Sequence, residues 1–217
     1  MNIHHHLPRA WTAGTAALLL TLSATAQTTN IIRGIGSYQY ELLSVPLLTA
    51  TSNHFPSIAS NAPNLSWAWF FDASNSAFIS SQKSGKGAWD GVAQAKTILP
   101  GECFFFRPAT NFEIAFTGTI PDSPFTNQVH DRLSALAYPF PDPVLWTDTS
   151  IASNLPMGSL VYFWNLDRQQ YDVYRKAPPA KGGWGPASNH VVQPGDGFFV
   201  RQPPGSAPFL WIQERRN

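Results

Sequence analysis

The sequence carries one cysteine, Cys103, in 217 residues, so no internal disulfide can form and the fold must rest on core burial. Charge is scarce too. Lys and Arg number 14, Asp and Glu 13, together 12% of the chain, and the formal net charge is +1. No basic block or acidic tail interrupts that balance, so the electrostatic footprint of a nucleic-acid-binding protein is missing. The only long apolar run, Ala13 to Leu22, is too short to span a bilayer comfortably. There is no G-x-S-x-G, no H-E-x-x-H and no Cys/His metal spacing, so neither a metal nor a cofactor is expected. Gly34-Ile35-Gly36 precedes an expected strand rather than opening a helix, which separates it from a dinucleotide fingerprint.

Aromatic residues are plentiful: 15 Phe, 8 Trp and 6 Tyr make 13% of the chain. They favour pleated, half-buried surfaces. With 19 Pro and 15 Gly and no low-complexity run, the composition fits many short strands joined by frequent turns.

The N-terminus reads as a secretory signal peptide over residues 1–26. His4, His5, His6 and Arg9 make a weakly basic start, the apolar run follows, and Ala24-Thr25-Ala26 supplies an A-x-A cleavage site. The mature chain is then expected to begin at Gln27, exported to the periplasm, outer surface or extracellular space, with no membrane span after cleavage.

An internal repeat organises the rest. Ile58-Ala59-Ser60-Asn61 recurs as Ile151-Ala152-Ser153-Asn154, an offset of 93. At that offset Pro63 falls on Pro156, Ser66 on Ser159, Phe70-Phe71-Asp72 on Phe163-Trp164-Asn165, Phe78 on Tyr171 and Lys83 on Lys176. The offset becomes 95 at Trp89 and Trp184, then 94 at Pro100-Gly101 and Pro194-Gly195. Drift of this kind reflects loop-length changes between two copies of one β-rich module, residues 27–121 and 122–217. Each copy is expected to run strand, polar loop, buried strand, hairpin, returning strand, Pro-Gly turn and buried strand. Trp67 to Phe71 and Leu160 to Trp164 are apolar on both alternating faces, as central covered strands are. The fold class expected is all-β, two tandem copies of a β-sandwich or barrel-like module, with packing into one pseudo-two-fold unit left open.

The second copy carries the clearest pattern: Leu155-Pro156-Met157-Gly158-Ser159-Leu160-Val161-Tyr162-Phe163-Trp164, then Gly183-Trp184, then Pro194-Gly195-Asp196-Gly197-Phe198-Phe199-Val200. Ser44-Val45-Pro46-Leu47 opens the first copy. The chain thereby resembles a group of exported Gram-negative bacterial repeat proteins with the pattern "SVPL … LPxGSxVYxW … PGxGFFV". That resemblance implies a β-rich exported protein and brings no catalytic residues with it. The first copy departs from the pattern where Asn64-Leu65 replaces Met157-Gly158 and where Cys103 replaces Gly197. These changes put its turn geometry in question, but not its place in the group.

Few residues suggest chemistry. Trp67, Trp69 and Trp146 have no tryptophan at the matching position of the other copy; they pair with Leu160, Tyr162 and Asn53. Exposed at a sheet edge, they would stack on sugar rings and make a carbohydrate-binding surface; inside strands, they are core. Trp89 and Trp184 match and read as packing residues. Cys103 reads as a small buried hydrophobe with no adjacent base to activate it. His130-Asp131 is the one adjacent imidazole–carboxylate pair, and His54 and His190 stand alone. Asp142 and Asp148 flank Trp146, a spacing a glycoside-cleaving pair would tolerate, in a Pro-rich loop where Asp commonly serves turns. The expectation is therefore a non-enzymatic exported structural or interaction protein, partnered by polysaccharide or another envelope protein. A carbohydrate-binding module is the first alternative, and a hydrolase whose residues converge only in three dimensions is the second.

Overall fold

The computed structural model describes residues 28–215, so the expected leader lies outside them. The first half contains β1 (Thr28–Ile35), β2 (Glu41–Ser44), β3 (Leu48–Thr49), β4 (Trp67–Asp72), β5 (Ala77–Gln82), β6 (Cys103–Arg107) and β7 (Phe112–Thr119). The second contains β8 (Phe125–Val129), β9 (Leu133–Ala137), β10 (Val144–Leu145), β11 (Leu160–Asn165), β12 (Gln170–Arg175), β13 (Val191–Val192), β14 (Gly197–Arg201) and β15 (Phe209–Gln213). Two short helices are α1 (Phe55–Ile58), which ends on the first residue of Ile58-Ala59-Ser60-Asn61, and α2 (Ser150–Asn154), which contains all of Ile151-Ala152-Ser153-Asn154. The chain is all-β.

Each half builds a four-stranded antiparallel sheet in the same order, β2-β6-β4-β5 and β9-β14-β11-β12. Smaller sheets flank them: β1-β7-β3 in the first half, β8-β15 and β10-β13 in the second. None of these sheets closes on itself among the described residues, which corrects the barrel-like option to open sheets. Gly34 and Ile35 lie inside β1 rather than before a strand.

Period-two alternation divides the apolar strands between two jobs. On β4, Ala68 and Phe70 face the first half's core; on β11, Val161 and Phe163 face the second's. The first core runs from Ile35 to Phe116 and the second from Val129 to Trp211, with Ile120 packed against both. Phe55 sits at the hub of the first, with ring centroids 5.0 Å from Phe70, 4.9 Å from Trp89 and 5.3 Å from Phe104. Trp146 holds the same place in the second, 5.4 Å from Phe163, 5.3 Å from Trp184 and 5.3 Å from Phe198.

The repeated Ile-Ala-Ser-Asn, Lys and Trp converge on one device. A helix end leaves carbonyls without intrahelical partners. Lys83 Nζ donates to the carbonyls of Ser60 (2.6 Å) and Ala62 (2.7 Å), and Trp89 Nε1 to that of Ala59 (3.4 Å). In the second half Lys176 Nζ donates to Ala152, Ser153 and Leu155, each at 2.8 Å, and Trp184 Nε1 to Ala152 at 3.0 Å. Lys176→Met keeps the side chain's bulk and removes the charged donor. It is expected to cost about 2–4 kcal/mol, read from the urea midpoint at unchanged slope.

The turn put in question by Leu65 keeps its shape. Leu65 adopts φ 67° where Gly158 adopts 86°, and both amides donate to the matching lysine carbonyl, Lys83 (2.7 Å) and Lys176 (2.8 Å). The backbone pattern is retained at the steric cost a β-carbon carries in the left-handed region.

The remaining faces of the two large sheets meet each other, and their contacts come in swapped pairs. Ser44 N–H donates to the Gly195 carbonyl (2.7 Å) and Ala137 N–H to the Gly101 carbonyl (2.9 Å). Phe71 meets Phe199 at 5.6 Å, and Trp164 meets Phe105 at 5.0 Å. Phe78 meets Phe199 at 5.8 Å, and Tyr171 meets Phe105 at 6.2 Å. Phe105 and Phe199, matched positions, stack on one another at 6.5 Å and 22°. Residue i touching j′ while i′ touches j is how an isologous contact looks. Both Pro-Gly turns supply carbonyls to it, and Gly101 (φ 85°) and Gly195 (φ 90°) permit the left-handed backbone there. Arg33 straps the junction, with Nη1 2.8 Å from Asp196 and Nε 3.0 Å from Glu41.

Candidate functional site

The packed faces do not cover both sheets completely. Beyond the aromatic contact, the face of the second half's sheet opens into a cleft of about 1090 Å³. Its floor follows from strand register. Arg175, Leu160, Arg201 and Leu133 form one row across β12, β11, β14 and β9. Tyr162 and Phe199 pair in the next row inward. Phe78, on the first half's hairpin and 42% exposed, and Tyr171 also line it. Asp131, Arg132 and the Pro203-Pro204-Gly205 turn form a rim. Burial pushes the Tyr171 phenol above its usual range, so it presents a neutral hydroxyl.

Three arginines against one aspartate give the lining a formal charge of +2. Arg132, Arg175 and Arg201 are exposed, and none belongs to an ion pair among the described residues. Asp131 is the single carboxylate of the lining, and no histidine or cysteine lines it. This arrangement suits holding a ligand by ring faces and guanidinium forks; a paired acid and base is not part of it.

The matching place in the first half is filled from within. Trp67 and Trp69 stand where Leu160 and Tyr162 do, both half-buried and stacked on each other at 5.9 Å and 18°. Tyr40 lies 5.1 Å from Trp69. Arg107, the counterpart of Arg201, sits over Tyr40 (5.4 Å), Tyr38 (5.8 Å) and Trp69 (5.9 Å). Trp164 and Gln169 from the second half's hairpin bond the Tyr40 carbonyl at 2.8 and 3.1 Å. The rings and the cation on this side are engaged with each other.

Of the three tryptophans singled out in the sequence, Trp67 and Trp69 therefore come together, and Trp146 does not join them. Trp146 is 0% exposed at the second core's hub, which corrects its place as an exposed sugar-stacking residue. Its structural counterpart is Phe55 rather than Asn53, because a loop-length difference shifts the register locally. The other candidates scatter. Cys103 is buried at the junction, and desolvation pushes its thiol far above the reactive range. His130 is exposed beside a minor cavity of about 130 Å³. His54 Nε2 contacts the Gln94 carbonyl at 3.0 Å. His190 stacks on Phe163 at 3.6 Å, and burial pushes its imidazole below the ordinary value. Asp142 pairs with Arg215 at 2.9 Å, and Asp148 belongs to the turn leading into α2, whose cap is Thr149.

Sequence reasoning missed Arg132, Arg175, Arg201, Tyr162 and Phe78 as one lining. A signal was present: Leu160 and Tyr162 are smaller than Trp67 and Trp69, and smaller residues on one of two matched faces leave space there. Compared with protein-family models, curated proteins and solved structures, the chain matches none.

Proposed function

We propose that the mature chain is a non-enzymatic binding module, exported to the cell envelope or extracellular space, that holds an extended ligand across the open sheet face of its second half. One observation carries this reading: a large cleft floored by Leu160, Tyr162, Tyr171 and Phe199, with three arginines in its lining that belong to no ion pair among the described residues and with one carboxylate beside them. Such a surface is shaped for adhesion, and its lining pairs Asp131 with no second carboxylate and no histidine that would make a hydrolytic acid–base couple. Low charge and dense core aromatics support a scaffold role, and the leader-like residues 1–26 support export.

The test pairs two measurements on the purified mature chain. Affinity electrophoresis against a set of polysaccharides is expected to show retardation by at least one, while prolonged incubation releases no new reducing ends. Hydrolysis that disappears on changing Asp131 or His130 would make the protein an enzyme and sink the reading. Fractionation of the native host is expected to place the protein outside the cytoplasm.

A further inference from the structure

We propose that the cleft takes an acidic polysaccharide, a chain of sugar rings bearing carboxylates, and that each molecule holds one such chain. The inference rests on the binding-module reading and adds the ligand's chemical class and its stoichiometry.

Charge supplies the first argument. Arg175 and Arg201 flank Leu160 on the two neighbouring strands, which at the usual strand spacing puts their backbones roughly 10 Å apart on one face. Arg132 adds a third guanidinium from the rim. Like charges gathered around an apolar floor repel one another, and no ion pair among the described residues offsets them. An anionic ligand removes that repulsion on arrival, and a planar fork suits a carboxylate.

Topology supplies the second. The row from Arg175 to Leu133 crosses four strands, so the cleft lies over the sheet's face and its floor offers side chains. A peptide docking by strand addition needs a free edge to satisfy its amides. A saccharide needs ring faces for its C–H surfaces and charged or hydroxyl partners at its margins. Tyr162, Tyr171, Phe199 and Phe78 supply the former, and the arginines and the Tyr171 hydroxyl the latter.

The filled counterpart sets the stoichiometry. Trp67 and Trp69 occupy the space that Leu160 and Tyr162 leave open, and Arg107 already lies over three rings. Of the two like sheets, the second half's therefore presents the open site among the described residues.

Calorimetry with a short oligogalacturonate, its methyl ester and an oligoglutamate tests the proposal. The free uronate is expected to bind at one per protein, more weakly as salt rises, and about tenfold tighter than the ester. Arg175→Gln and Arg201→Gln are each expected to weaken it about tenfold at unchanged melting temperature, while Arg107→Gln leaves affinity within about twofold. Tyr162→Trp, which installs the first half's residue, is expected to weaken binding without touching a charge. Equal affinity for the methyl ester overturns the acidic specificity and leaves the binding module standing. Equal affinity for oligoglutamate, lost in Arg201→Gln, replaces the polysaccharide with an acidic peptide. A matching loss in Arg107→Gln moves the site off the cleft. No binding to any saccharide, neutral ones included, removes both this proposal and the reading beneath it.

Discussion

Gly197→Ala is expected to destabilise the protein by roughly 3 kcal/mol or more, the upper end of what overpacking costs. A β-carbon at position 197 would lie 2.5 Å from Cys103 Cβ, 2.8 Å from Leu42 Cγ and 3.0 Å from Cys103 Sγ. Its backbone does not call for glycine, since φ is outside the left-handed region. Space does. Positions 103 and 197 match between the halves, and where matched positions face each other across a two-fold contact they compete for one volume. The volume holds one small side chain, and the first half supplies it. Cys103→Gly should therefore rescue part of the Gly197→Ala loss, the approach to Leu42 Cγ remaining, and give a coupling well above the few tenths of a kcal/mol seen for independent sites. The exchange Cys103→Gly with Gly197→Cys should stay less stable than the wild type, because a side chain at 197 still starts 2.8 Å from Leu42 Cγ. Equilibrium urea unfolding of the two single variants, the rescue pair and the exchange reads all four outcomes. Additive losses would mean that the two positions do not share that volume.

Much of the fold can be read along the chain because its strongest signals are local. The unbroken apolar run Leu160 to Trp164 and the Pro-Gly turns place the strands to within a residue or two of β11 and β14. β1 and β8 are harder to see. Thr28–Ile35 alternates exposed and half-buried residues on a flanking sheet, so few of its side chains are fully apolar and buried. The site is harder still, since it depends on what the two halves do to each other. Comparing the halves separates matched from unmatched residues and leads to Trp67 and Trp69. It does not say that large residues at those positions close a cleft and small ones open it, for that follows only from sheet faces packed together. Arg175 and Arg201 read singly as ordinary exposed ends of strands, and only cross-strand register sets them either side of Leu160. Trp146 illustrates a limit of alignment by offset: a two-residue slip pairs it with Asn53, while packing pairs it with Phe55.

That packing makes Trp146 the second large effect. Trp146→Ala removes a fully buried indole that meets Phe163, Trp184 and Phe198, and is expected to cost about 3–5 kcal/mol. For a chain of this size that corresponds to a fall of roughly 10 °C or more in melting temperature. Trp146→Phe should cost far less than its lost volume suggests. The indole Nε1 is buried with no hydrogen-bond partner among the described residues, so the wild type already bears a desolvated donor. Phenylalanine removes that donor and reproduces what Phe55 does at the matching hub, leaving a modest cavity term of about 1–2 kcal/mol. The folded fraction of either variant should bind the cleft's ligand as the wild type does, because Trp146 lies on the opposite side of the sheet from Tyr162 and Arg201. Thermal melts and calorimetry on the same samples separate the two roles. A variant that melts normally and loses binding would return Trp146 to the ligand surface, whereas lost stability with intact affinity fixes it as the pillar behind the sheet that carries the cleft.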